Sequence, residues 1–212
     1  MLARDMSDWV WQGERGMLRS FDGSTAEANA AARALSDEVT AARFTEVADV
    51  VPGARTVLVE LVPGTEPSGG LIRALEADEA QLQRGAGRRH EIAVTYDGED
   101  LAEVAASCRM RPFEVVELHS RAEYTVAFIG FQPGFPYLLG LPAELAVRRL
   151  ASPRVKVPAG SVAIAGEYSG IYPGATPGGW RLIGRTETVL FDAENTPPSI
   201  LQPGDMVRFV PA

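Results

Sequence analysis

Two cations, Arg154 and Lys156, have a spacing in this chain that could do chemistry. They alternate along residues 153–161, Pro-Arg-Val-Lys-Val-Pro-Ala-Gly-Ser, so an extended conformation would place both side chains on one face. Two cations on one face can bind a carboxylate or a phosphate. An isolated basic pair is more commonly found on a solvated edge strand, and both interpretations stay open at this point.

Two stretches rich in glycine, proline and aromatic residues indicate shaped loops. Residues 130–138, Gly-Phe-Gln-Pro-Gly-Phe-Pro-Tyr-Leu, combine a constrained backbone with the amide of Gln132 and the phenol of Tyr137. Residues 170–180 repeat this composition around Tyr172. Such loops either line a ligand pocket or fill the core with their aromatic rings, and the pattern alone does not decide between the two.

The remaining chemical candidates are a serine and a histidine. Ser161 directly follows a glycine, so the G-x-S-x-G pattern of a nucleophile is absent and a strand-starting serine is favoured. His119 lies near the end of a predicted helix, where it is either a general base or a structural residue. With two histidines and one cysteine, Cys108, the sequence predicts no zinc site.

Charge and composition exclude several classes of function. The net charge of −8 gives no general attraction for nucleic acid or for anionic lipid. The single lysine follows Val155 rather than a glycine, so the chain has no P-loop. No run of 18 apolar residues predicts a transmembrane helix, and the first residues are too acidic for a signal peptide. With one cysteine the chain can form no internal disulfide, and we expect a cytoplasmic location.

The first part of the chain, residues 1–87, is predicted to be a small α/β domain. Ser24 and Glu27 form a capping box that begins a helix ending near residue 40. The other expected elements are strands at residues 17–21, 44–51 and 56–61 and a helix at residues 70–83. This β-α-β-β-α order is typical of half or more of a ferredoxin-like fold. Residues 84–89 are the linker candidate.

The second part, residues 88–212, is predicted to be an antiparallel barrel or sandwich with a few inserted helices. Expected helices lie at residues 101–108 and 112–120, and expected strands at residues 92–96, 124–130, 161–165, 181–183, 188–191 and 205–210. The two domains together give an α+β fold class.

The motifs resemble a known family. Residues 130–138, 153–166, 170–173 and 177–186 are similar to the allophanate hydrolase subunit 1 or Kip-inhibitor group. That group includes the B subunit of the bacterial 5-oxoprolinases and one half of the carboxyltransferase domain of urea carboxylase. The resemblance implies a cyclophilin-like β-barrel after the small α/β domain. Residues 1–16 depart from the family's usual start and are interpreted as a possible extension.

The resemblance also implies an activity and partners. It predicts a subunit of an ATP-dependent 5-oxoprolinase, which opens 5-oxoproline to L-glutamate and is inactive alone. The implied partners are a C subunit, that is, an allophanate hydrolase subunit 2 homologue, and a further oxoprolinase subunit, with the active site where the subunits meet. ATP would act at the level of the complex, and no metal is expected.

Under this hypothesis, each candidate residue has a role. Arg154 and Lys156 would bind anionic groups, whereas Gln132 and Tyr137 would orient the substrate. Tyr172 and Ser161 would be secondary contacts, and His119 would be a proton acceptor.

Two alternatives stay open. The chain could be half of a carboxyltransferase that moves a carboxyl group from carboxybiotin to urea or a similar amide, with biotin supplied by other chains. It could also be a protein without enzymatic activity that binds and inhibits a histidine kinase, because aromatic loops serve a protein interface equally well.

Overall fold

The computed structural model describes residues 8–77, 85 and 87–212, and the chain divides into two compact units, residues 1–86 and 87–212. The predicted extension at residues 1–16, the linker at residues 84–89 and the end of the helix at residues 70–83 lie partly outside the described residues. Among the described residues no helix is long and apolar enough to span a membrane.

The first unit is a four-stranded antiparallel sheet with two helices. Its elements are β1 (Trp9–Gln12), β2 (Gly16–Ser20), α1 (Thr25–Ala42), β3 (Val47–Pro52), β4 (Thr56–Leu61) and α2 (Gly69–Leu75). The strand order in the sheet is β1-β2-β4-β3. Alternate residues of β4 are buried, as expected for a strand with one face on a core.

The start of α1 is set by a local signal in the sequence. The Ser24 hydroxyl accepts a hydrogen bond from the Glu27 amide at 3.3 Å, and the Glu27 carboxylate accepts one from the Ser24 amide at 2.9 Å. This reciprocal pair confirms the predicted capping box. The helix then buries an alanine-rich face, with Leu35 and Val39, against the sheet.

The sequence missed one strand of this unit and overestimated one helix. Strand β1 lies within the stretch that the sequence indicated as an extension, and it pairs antiparallel with β2 from Trp9 to Gln12. Helix α2 ends at Leu75, and residues 78–83 of the predicted helix lie outside the described residues. A periodic apolar pattern alone predicts helix ends poorly, because no glycine or proline marks the stop here.

The second unit is built around a seven-stranded sheet. Its helices are α3 (Leu101–Ser107), α4 (Pro112–Arg121) and a 3₁₀ turn at Ala143–Leu145. Its strands are β5 (Arg89–Val94), β6 (Tyr124–Ile129), β7 (Pro136–Leu139), β8 (Arg154–Val157), β9 (Ser161–Ala165), β10 (Tyr168–Ile171), β11 (Thr176–Gly178), β12 (Arg181–Arg185) and β13 (Met206–Pro211).

The seven-stranded sheet closes nearly into a barrel. Its order is β12-β9-β10-β7-β6-β13-β5, and the two edge strands meet where Thr95 bridges Arg185. Each of these two residues donates its amide to the other's carbonyl at 2.9 Å. Closure of this kind removes exposed sheet edges.

The two faces of the barrel wall carry different cores. Val162 and Ile164 of β9 point into the main core with Ile171 and Ile183, whereas Ala163 and Ala165 point to a second core on the outer face. Because side chains alternate along a strand, one strand supplies both cores. The outer core also includes Val157 of β8, which forms a separate two-stranded sheet with β11.

Two sequence predictions for this unit are wrong in detail. Residues 188–191 do not form a strand, and only a single bridge joins Phe191 to Ser199. The barrel is not entirely antiparallel either, since β13 pairs in parallel with β5. Strands β7, β10 and β11 were not predicted, because the glycine and proline residues within them indicate turns.

Candidate functional site

An aromatic cluster on the outer face of the barrel brings the sequence motifs together. It consists of Phe135, Tyr137, Tyr168, Tyr172 and Trp180. The ring centroids of Phe135 lie 5.0 Å from Tyr172 and 5.3 Å from Trp180, and those of Tyr137 and Trp180 lie 5.4 Å apart. All three pairs have the edge-to-face geometry that aromatic rings prefer. The two aromatic motif stretches therefore pack into one cluster.

A small residue allows this packing. The Cα of Gly170 on β10 faces the cluster, and a Cβ there would lie 2.9 Å from the Trp180 ring and 3.0 Å from the Pro136 carbonyl. Any side chain at this position would push the indole away from the wall. Position 170 must therefore be glycine for the Trp180 ring to approach β10 closely.

The motif loop, residues 130–136, is held by its own backbone and by a side chain. The Phe135 amide donates to the Gln132 carbonyl at 3.0 Å, and the Gly130 amide donates to the Phe135 carbonyl at 3.1 Å. The Gln132 side chain donates from Nε2 to the Gly174 carbonyl at 3.3 Å. Gln132 therefore ties the two motif stretches to each other, and its side-chain nitrogen already has a partner.

Ser161 and Tyr172 are neighbours through their backbones. The Tyr172 amide donates to the Ser161 carbonyl at 2.9 Å, and the Gly160 amide donates to the Tyr172 carbonyl at 2.7 Å. Both side chains are buried. Gly160 has a φ of +80°, which favours glycine at this turn into β9.

Arg154 forms ion pairs with two carboxylates, one of them buried. Its Nη2 donates to Oδ1 of Asp100 at 2.7 Å, and its Nε donates to Oε2 of Glu99 at 3.4 Å. Asp100 is buried, and its other oxygen accepts the Leu182 amide at 2.7 Å. The Asp100 hydrogen bond raises the pKa of Arg154. The positive charge of Arg154 is therefore largely neutralised within the chain.

Lys156 has the opposite environment. Its side chain is exposed, and within the part of the chain that the structure describes it has no hydrogen bond or ion pair. An additional residue between the two bridged positions of β8 breaks the strict alternation of side chains. Arg154 and Lys156 thus do not share one environment, contrary to the expectation from alternation.

Arg149 is a cation that the sequence analysis missed. Its guanidinium carbon lies 5.7 Å from the Trp180 ring centroid, a cation–π distance. Burial raises the pKa of the Tyr172 hydroxyl, and the nearby positive charges of Arg149 and Arg154 oppose that rise. No motif in the sequence pairs Arg149 with Trp180, which lies 31 residues further along the chain.

A basic surface results around β8. Residues 145–166 include no acidic residue, and three of their cations, Arg148, Arg149 and Lys156, are exposed, in a chain whose net charge is −8. Arg148 also lines a concavity of about 270 Å³ together with Arg181 and Ser107 of α3. Exposed cations beside aromatic rings can bind oxyanions.

The structure places His119 away from this surface. The side chain is fully buried in the main core, where its ring stacks on Phe209 with centroids 4.5 Å apart. Nδ1 lies 2.8 Å from the Tyr96 hydroxyl and Nε2 lies 2.8 Å from the Ser169 hydroxyl. Burial lowers the pKa of His119 to about 3. Both ring nitrogens of His119 thus have partners within the core, away from the outer face, and its role as a proton acceptor stays a prediction.

His90 also has a specific partner. Its Nε2 lies 2.9 Å from Oδ2 of Asp205, a buried carboxylate that also accepts the Arg88 and Gln202 amides at 2.8 and 3.0 Å. This network fixes the start of β5 beside the turn before β13. Among the described residues no cluster of three His, Cys, Asp or Glu side chains could hold a metal ion.

Comparison with known proteins identifies relatives over most of the chain. Residues 8–201 match the family described as carboxyltransferase domain, subdomain C and D. The chain is 47% identical over 173 residues to the 5-oxoprolinase B subunit of Escherichia coli O157:H7, covering 78% of each. It is 44% identical over 172 residues to the 5-oxoprolinase B subunit of Haemophilus influenzae, covering 78% of the chain and 79% of that protein.

Solved structures share the fold. TTHA0988 superposes with a TM-score of 0.82 at 38% identity, and the match covers 93% of this chain but only 40% of that longer one. Urea carboxylase of Kluyveromyces lactis superposes with a TM-score of 0.70 at 21% identity, and 96% of this chain matches 21% of that one. The latter likeness concerns the fold alone.

Proposed function

The chain belongs to the carboxyltransferase-domain family of subdomains C and D, and we propose that within this family it is the B subunit of an ATP-dependent 5-oxoprolinase. The observation that carries the proposal is the identity of 47% and 44% to two proteins named as B subunits of 5-oxoprolinase, each over 78% of this chain. Aromatic residues of the motif stretches pack around Tyr172 and Trp180 in one buried cluster.

The chemistry explains why cations are needed. The amide carbon of 5-oxoproline is a poor electrophile. Transfer of the γ-phosphoryl group of ATP to the amide oxygen makes that carbon open to attack by water. The ring C–N bond then breaks, the nitrogen takes up a proton, and an acyl phosphate forms. A second water hydrolyses this acyl phosphate, so the overall reaction gives glutamate, ADP and phosphate. Both the substrate carboxylate and the phosphoryl group require positive partners.

Lys156 is the residue that we assign to anion binding, because it is exposed and unpaired within the described part of the chain. Arg149 lies beside Trp180 on the same outer core and is a second candidate. Arg154 instead holds Asp100, so its role is to fix β8 next to the start of α3. Neither Lys156 nor Arg149 lies in a glycine-rich phosphate loop. We therefore propose that ATP binds at the level of the complex.

Gln132, Tyr137, Tyr172 and Ser161 have positioning roles in this proposal. Gln132 bridges to Gly174, and Ser161 pairs with Tyr172 through the backbone. Only Tyr137 among the four combines a half-buried ring with stacking, at 4.2 Å from the Phe128 centroid. We therefore assign substrate orientation to Tyr137 and the shape of the surface to the other three.

A partner protein follows from the extent of the relatives. This chain matches 40% of TTHA0988 and 21% of urea carboxylase, so in those polypeptides the same fold is continued by further chain. We propose that a separate protein, the C subunit or allophanate hydrolase subunit 2 homologue, supplies the equivalent part here. The complex is completed by a further oxoprolinase subunit.

The finer fold assignments support the same family. The nearly closed sheet agrees with a cyclophilin-like barrel. In the first unit, β2, β4 and β3 with α1 have the order of a ferredoxin-like split β-α-β unit, and β1 occupies the edge where that fold places its last strand.

The test is reconstitution with the separately purified partner subunits. We expect ATP-dependent conversion of 5-oxoproline to glutamate by the complex and none by this chain alone. A complex that carboxylates urea when carboxybiotin is supplied, or binding to a sensor kinase without a C subunit homologue, would replace the proposal by one of the two alternatives. A complex that assembles without hydrolysing 5-oxoproline would overturn it.

A further inference from the structure

The conformation of Phe131, in the motif loop, is unusual for its residue type. Its φ is +67°, and the Gln132 amide donates across it to the Gly130 carbonyl at 2.8 Å. A hydrogen bond from residue i+2 to residue i around a positive φ describes a γ-turn of the rare and strained type. Bulky side chains disfavour this region, whereas glycine adopts it readily. An aromatic ring is nevertheless present at the strained position.

The strained turn projects the ring out of the molecule. Phe131 is 61% exposed, although the aromatic rings next to it, Phe135 and Tyr172, are 1% exposed. Its ring approaches theirs edge to face, at centroid distances of 5.4 and 6.4 Å. The ring therefore contributes little to the outer core. Backbone strain at a residue whose apolar side chain is exposed indicates a functional role, because the side chain adds little to stability.

We propose that Phe131 is the anchor of the interface with the C subunit homologue, inserting into an apolar pocket whose border is acidic. This inference rests on the proposed function, because it takes its partner from that complex. Interface hot spots are typically large aromatic side chains that fill a pocket of the partner. A protein surface can cover a projecting ring from all sides.

The charge around Phe131 defines the border of that pocket. Arg149 lies over the ring of Trp180, which packs in the same outer core as Phe135 and Tyr172, the two rings that Phe131 contacts. Within residues 145–166, Arg154 is paired with Asp100 and Glu99, whereas Arg148, Arg149 and Lys156 are exposed cations. Like charges across an interface are unfavourable, so the fitting partner surface is acidic at its edge. In the relative TTHA0988 the same fold is 40% of a longer chain, so further chain accompanies it there.

The primary test is the dissociation constant for the purified C subunit homologue, measured by surface plasmon resonance. We expect Phe131→Ala and Phe131→Gly to weaken binding by about 30-fold or more, mainly through faster dissociation, and Phe131→Tyr to retain it. The matched control is Phe113→Ala, since Phe113 is another exposed ring, at 54%, on α4. This control should bind within about twofold of the unchanged chain. Equal affinity of all four variants would overturn the proposal.

Folding is checked separately from binding. Phe131→Gly removes the strain, so its Tm should be no lower than that of the unchanged chain. If both truncations nevertheless unfold, hydrogen–deuterium exchange of the unchanged chain decides. Slower exchange at residues 129–135 on addition of the C subunit homologue supports the anchor, and unchanged exchange there overturns it.

The remaining outcomes distinguish this inference from the proposed function. Variants that keep their affinity for the C subunit homologue but raise the KM for 5-oxoproline would show that the ring contacts substrate, and the interface proposal would be wrong. A homodimer lost in Phe131→Ala would likewise show that the ring binds a second copy of this chain instead. An assembled complex that does not hydrolyse 5-oxoproline overturns only the proposed function, because the measured affinities still test the role of Phe131.

Discussion

The Arg154 guanidinium donates to the buried Asp100 carboxylate at 2.7 Å, linking β8 of the small sheet to the start of α3. Because Asp100 also accepts the Leu182 amide, one carboxylate joins β8, α3 and β12. Arg154, which the sequence analysis predicted to bind an anion, thus stabilises the fold.

Replacing Asp100 by asparagine should destabilise the chain. The substitution leaves Arg154, whose side chain is only 21% exposed, without its main negative partner. Removing one member of a largely buried pair costs about 2–4 kcal/mol. Urea unfolding at neutral pH measures the loss. The control is Asp97→Asn, which breaks the exposed Asp97–Arg185 pair and should leave stability nearly unchanged. Equal losses in the two variants would contradict the special role of Asp100.

Replacing Lys156 by alanine should affect activity and leave stability unchanged. The side chain is exposed and unpaired within the described residues, so the Tm should not move. In the reconstituted complex, loss of a charged hydrogen bond to substrate or phosphate should raise the KM by about 10-fold or more. Arg154→Ala should show the opposite pattern, with a lower Tm. Unchanged turnover and KM in Lys156→Ala would mean that the lysine binds no anion.

Local signals in the sequence predicted local structure well. Ser24 and Glu27 predicted the start of α1, because this signal acts over a few residues. The motif stretches predicted the loop at residues 130–136 but concealed β7 and β11, whose glycine and proline residues indicated turns. The partner of Arg154 could not be predicted, since Asp100 lies 54 residues away and only the fold brings it close. The same holds for His119, whose burial depends on β10 and β13. The φ of Phe131 has no sequence signal at all, since glycine is the residue that such a turn suggests.

Replacing Gly170 by alanine should disturb the outer core. The added Cβ would lie 2.9 Å from the Trp180 ring and 3.0 Å from the Pro136 carbonyl, so one of them must shift. Overpacking of this kind costs about 1–3 kcal/mol. Gly69→Ala is the matched control, because its Cβ would meet only the end of the Arg73 side chain, at 4.0 Å. Urea unfolding of both variants tests the prediction, and equal stabilities would refute the close approach.

The buried His119 should make the chain sensitive to acid. Its pKa is about 3 in the folded chain, against 6.5 ordinarily, so the unfolded chain binds an additional proton between those values. Stability then falls as the pH drops through this window, by about 2 kcal/mol between about pH 7 and pH 5 from this group alone.

His119→Gln removes this contribution, so its stability should differ less between the two pH values than that of the unchanged chain, by about 2 kcal/mol. Tyr96→Phe is the control, because it loses the hydroxyl 2.8 Å from Nδ1 but keeps the histidine and its acid dependence. NMR of the ring nitrogens gives an independent measurement, since His119 should remain neutral at about pH 5. A charged ring at that pH, or the same acid dependence in His119→Gln as in the unchanged chain, would show that the histidine is accessible to protons and would support its role in proton transfer.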